Sequence, residues 1–138
     1  MVAVMQPVAA RFTRVSSAIF FPVRDRADLA PHGRLLRAGV ALAFSSDLPV
    51  SADPNPWPGI QVAVDDPVNG ISMLSALRAY TAGGAYATFE ESDKGTLDVG
   101  MLADLQVYDL DPLDANASRD GLRPRAVLVG GVRAFGAL

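Results

Sequence analysis

Between Pro31 and Asp47 the chain reads PHGRLLRAGVALAFSSD, and this stretch constrains the fold more than any other. Proline suits the first position of a helix, where its missing N–H is no loss. Leu35 and Leu36 are expected to face inward, and Gly39 stands where a glycine cap ends a helix. Val40 to Phe44 is then an uninterrupted apolar run of strand length. Such a run fits a strand buried on both faces in a parallel sheet. Helix, glycine cap and buried strand together make an α/β unit.

The rest of the chain is organised around that unit. Val2 to Met5 reads as the end of a strand, stopped by Gln6-Pro7. Residues 8–32 have no clean period and carry a charged patch (Arg24, Asp25, Arg26, Asp28), which predicts a long loop with one helical turn. LPVSADPNPWPG holds four prolines and is expected to be irregular. A short helix is expected at Ile60 to Val64. Ser72 has the character of an N-cap for MLSALRAYTAGGAYATF. There Met73, Leu77 and Tyr80 recur at helical spacing beside Leu74, Arg78 faces solvent, and Gly83-Gly84 breaks the helix before a second short one. From Glu90 onward turns and short strands take over. ADLQVYDLD gives a β-rich run through Leu105, Val107 and Tyr108. AVLVGGVRAFG gives two strands joined by Gly130-Gly131 as a hairpin or bulge. The division falls near residues 90–95, with an α/β piece at 1–92 and a β piece at 93–138.

Composition removes several functional classes. The net charge of −3 offers no basic surface for nucleic acid or an anionic membrane. With no cysteine there is no disulfide framework, thiolate metal site or cysteine nucleophile, which fits a reducing cytoplasm. No run is long and apolar enough to span a membrane, and the N-terminus makes a poor signal peptide. Asn116-Ala117-Ser118 matches a glycosylation sequon without a secretion signal to support it. The paired glycines lack the Lys-Ser/Thr flank of a phosphate loop. His32 is the single histidine. Hydrolytic zinc is usually held by two or more imidazoles, and one histidine cannot build that shell.

Asp47 is the leading candidate for chemistry. It follows the buried strand directly, and in α/β barrels functional side chains project from the C-terminal ends of strands. A carboxylate there can ligate a metal or accept a proton from metal-bound water. Equally, aspartate often caps a turn. Trp57 either lines a substrate mouth or anchors its loop. Gln6 and Ser46 are candidates to support the site from behind. Glu90-Glu91 and Asp93-Lys94 read as a solvated turn, and Asp104 as a structural residue. His32, which precedes a helix start, reads as a surface or capping residue.

FSSDLPV, then DPNPWPGI, then LSALRAYTAGGAYATFEESDKGTLDVGMLADLQVYDLDPL and finally VLVGGVRAF resemble the C-terminal third of the YtcJ-like metal-dependent amidohydrolases, members of amidohydrolase family 3. The resemblance runs from about Leu35 to Phe135, and MVAVMQP is similar to the family strand ending in QP. It implies a partial (β/α)8 barrel segment followed by strands of a small β-sandwich that both chain ends build. It implies hydrolysis of amide-type C–N bonds other than peptide bonds, in small molecules. It also implies a divalent metal, zinc first, in the full-length family. Asp47 matches the aspartate ending the eighth barrel strand, which contacts the metal and shuttles the proton of the attacking hydroxide. The other family ligands are a His-x-His pair, a bridging acid or lysine and two further histidines, and none has a counterpart here. Ser45 replaces a usual glycine and Met101 a usual lysine. The chain is therefore expected to hold no metal and to be inactive by itself. The alternative is a non-catalytic module that pairs with itself or with a partner carrying the missing barrel strands.

Overall fold

A computed structural model describes residues 1–9, 30–51, 53–114, 116–119 and 121–138. The charged patch at Arg24 to Asp28, read above as loop, lies outside them. Strand β1 (Val2–Met5) pairs in parallel with β2 (Ala41–Phe44), Val2 opposite Ala41 and Met5 opposite Phe44. Leu42, Ala43 and Phe44 are buried, as their apolar run requires, whereas Val4 on β1 is 55% exposed.

Helix α1 (His32–Arg37) leads into β2. Gly39 at φ 76° donates its N–H to Leu36 O at 3.0 Å, and Val40 donates to Leu35 O at 3.0 Å. These two bonds form a Schellman cap, which needs the left-handed conformation that glycine adopts without steric cost. Leu35 packs against the core, but Leu36 is exposed rather than inward. A six-residue helix on one strand has a single inward stripe, and His32 and Gly33 occupy its first turn. His32 is 0% exposed, with its ring edge-on to Phe44 at a 6.0 Å centroid distance, so the surface reading of this residue is corrected. Close packing of that turn has a second mark: a Cβ on Gly33 would lie 2.4 Å from Asn69 O.

Helix α2 (Trp57–Asp65) starts earlier than its apolar residues suggest, because Pro58 sits in its first turn, where proline is tolerated. The described residues of the proline-rich stretch are thus irregular only up to Pro56. Helix α3 (Met73–Tyr80) is capped as expected, Ser72 Oγ accepting from Ser75 N at 3.1 Å. The break before α4 (Ala82–Ala87) falls at Thr81, and Gly83 and Gly84 lie inside α4. At Gly83 the missing side chain permits contact: a Cβ would stand 2.1 Å from Leu42 O. Leu42, Phe44, Trp57, Ile60, Ala63, Ile71, Ala76 and Ala79 form the main core against β2.

The remaining sheet is antiparallel in the order β3 (Leu105–Val107), β4 (Ala126–Val129), β5 (Val132–Gly136). Gly130 and Gly131, at φ 56° and 78°, make the two-residue turn between β4 and β5. The ladder shifts register between Val127 and Leu128. Hairpin and bulge are both present. Asp104, expected as a structural residue of the strand returning to the sandwich, instead stands just ahead of β3 and ties the turn down, accepting Gly130 N–H at 2.6 Å.

Candidate functional site

Because Met5 and Phe44 are register partners, the C-terminal ends of β1 and β2 coincide, and the residues beyond them emerge side by side. Ser45 N donates to Met5 O at 3.0 Å, extending the ladder by one bond. Gln6 Nε2 donates to Ser45 Oγ at 3.2 Å, so these two side chains brace the strand ends. Asp47 follows, exposed and at φ 61°, a left-handed conformation that aspartate tolerates better than most residues with a side chain. Its carbonyl accepts Ser51 N–H at 3.0 Å, which closes the loop into a turn.

An open groove of about 1320 Å³ runs from this loop to the three-stranded sheet. Ser46, Trp57, Tyr80, Gln106 and Tyr108 are among its lining residues, and Asp47 is not. Trp57 is 3% exposed and donates its indole N–H to Tyr108 Oη at 3.1 Å, with the two rings edge to face at 5.5 Å. The Tyr108 hydroxyl in turn donates to Gln106 Oε1. Burial pushes the Tyr108 hydroxyl above its ordinary pKa, while the bond from Trp57 pulls the other way. Burial also pushes Tyr80 up to about 12. Glu90, on the groove wall, is lowered first by its bond from Lys94 and then by that from Thr88 Oγ1.

Of the residues singled out from sequence, Gln6 and Ser45 meet, Ser46 and Trp57 share the groove, and Asp47 stands apart in its loop. Tyr80, Asn55 and Tyr108 belong to the site region and were not picked out. Only the aromatic residue ending the ADLQVY run hinted at the last of them.

The described residues do not by themselves fit a metal centre. The single imidazole is sealed at the start of α1 against Phe44, whereas the Asp47 carboxylate lies in an exposed loop. Among the described residues no three of His, Cys, Asp or Glu converge on one point. A tightly held zinc takes three or four protein ligands.

A family model described as "Amidohydrolase family" matches residues 6–135. Comparison with curated proteins finds no match. Among solved structures, an uncharacterized metal-dependent hydrolase from Pyrococcus furiosus is 30% identical, with a TM-score of 0.58 over 71% of this chain and 21% of that one. A prolidase complexed with N-methylphosphonate-L-proline is 26% identical, with a TM-score of 0.67 over 99% and 35%. An amidohydrolase from Thermotoga maritima shares the fold at 21% identity, with a TM-score of 0.61 over 97% and 37%. The chain thus spans between 21% and 37% of the length of these solved proteins. No helix among the described residues is long and apolar enough to cross a membrane.

Proposed function

Since the chain belongs to the amidohydrolase family, we propose that it supplies one carboxylate, Asp47, to a metal-dependent hydrolase site of the YtcJ-like kind. The substrate class is a small molecule with an amide-type C–N bond other than a peptide bond. The observation that carries this reading is the place of Asp47. It lies directly past the C-terminal end of a buried parallel strand, where α/β barrels mount their chemistry. In this reading residues 1–92 are barrel segment and 93–138 sandwich strands, Gln6 and Ser46 support the loop from behind, and the setting is cytoplasmic. The family's metal is zinc. These 138 residues carry one imidazole, so the chain alone neither holds the ion tightly nor turns over substrate.

Metal analysis of the purified chain with an amide-hydrolysis assay tests this. Well under one equivalent of zinc and no turnover are expected. Mixing with a polypeptide that carries the family's imidazole-bearing strands should create zinc binding in the wild type and not in Asp47→Asn. Stoichiometric zinc and turnover by the chain alone would refute the incompleteness. Zinc binding in the mixture that ignores Asp47→Asn would refute the role of the carboxylate.

A second reading, a non-catalytic assembly module, draws on the apolar side chains that the small sheet leaves outward. Val132 is 72% and Phe135 60% exposed. Sedimentation of the chain separates the two: a concentration-dependent dimer without a metal requirement favours the module.

A further inference from the structure

The Asp47 loop is tied at its far end to the β piece, and the ties come from residues distant in sequence. Asn55 Nδ2 donates to Leu122 O at 3.3 Å, and its Oδ1 accepts Trp57 N–H at 3.2 Å. Asp53 pairs with Arg123 at 3.1 Å. Beyond them, the Trp57 indole N–H reaches Tyr108 Oη, whose own hydrogen goes to Gln106. Trp57 and Tyr108 are 51 positions apart, and Asn55 and Leu122 are 67 apart. The loop between Asp47 and α2 therefore has two anchors. One is the strand end, through Ser45 with Met5 and Gln6. The other is the 105–123 region.

We infer that Asn55, Trp57 and Tyr108 are positioning residues, a staple through which the β piece holds the Asp47 turn in its left-handed geometry. Resting on the hydrolase reading above, this gives the small sheet a part in the site without touching any reacting atom. The exposed Asp53–Arg123 pair adds little, because solvent screens it. The members nearer the core matter more: Trp57 is 3% exposed, so its indole N–H is poorly compensated when the Tyr108 acceptor is lost. A neutral hydrogen bond removed from such a setting shows directly as local opening.

The test is hydrogen exchange of the Ser51 amide, which reports the bond to Asp47 O, in the 138-residue chain. Tyr108→Phe keeps the ring contact and removes the hydroxyl. Asn55→Asp keeps the acceptor for Trp57 N–H and removes the donor to Leu122 O. Each is expected to speed Ser51 exchange by about three- to tenfold, with the Leu42 and Val127 amides unmoved. Arg123→Lys, which preserves the charge, should exchange as wild type. Unchanged Ser51 exchange in both variants overturns the inference. So does equal acceleration at Leu42 and Val127, which marks general loosening. The readout requires no metal, so a failed zinc assay leaves this result standing, and a flat Ser51 response leaves the role of Asp47 open to its own test.

Discussion

The helical half and the small sheet solve the burial problem differently. Around β2 the chain seals its own core. Phe44 is 5% exposed and meets both His32 and Tyr80 edge to face, while Ile60 and Ala63 are fully enclosed. In the sheet Ala126 is the buried hydrophobic residue, and every residue of β5 is exposed. The first region is held by apolar burial. The second is held by ladder bonds and turn geometry, and a sheet with outward Val132 and Phe135 has apolar area still to cover.

The widest test of that contrast pairs two phenylalanines. Phe44→Ala should lose about 3–5 kcal/mol in urea unfolding, whereas Phe135→Ala should stay within about 0.5 kcal/mol. Similar losses at both would show that the sheet has a hidden core of its own. Next comes Gly83→Ala, which drives a methyl into the Leu42 carbonyl and should cost about 1–3 kcal/mol by the same measurement. In the sheet, Asp104→Ala frees the Gly130 N–H. It should cost about 1 kcal/mol, visible as faster exchange in the β4–β5 hairpin while the helices keep their protection. The smallest effect is absent at neutral pH. The folded-state pKa of Tyr80 is raised, so its share of stability is complete below its unfolded value near 10 and falls as pH rises toward about 12. Tyr80→Phe should flatten the alkaline decline of the unfolding midpoint in that window.

Much of the fold was legible because its signals are local. The Gly39 cap, the Ser72 cap, the apolar run of β2 and the Gly130-Gly131 hairpin each depend on a few neighbouring residues, and each forms as read. What failed was set by distant contacts. His32 is polar and precedes a helix, which suggests solvent, but the packing of α1 onto β2 encloses it. Gly83 looked like a helix breaker, although its use is to let α4 approach the Leu42 carbonyl. Of the candidate site, the position of Asp47 at a strand end followed from order along the chain. The pairing of Gln6 with Ser45, and the enclosure of Trp57 by Tyr108, did not.

The left-handed backbone at Asp47 narrows what heredity can place there. Side chains branched at Cβ are disfavoured by their own bulk, and asparagine and glycine are the substitutes that the main chain accepts readily. Neither brings an anion. A saturation library scored for folding should therefore admit a small set at this codon, and one scored for a carboxylate as well should retain aspartate ahead of glutamate. The gap between the two sets would measure how far shape and charge have been selected together at a single position.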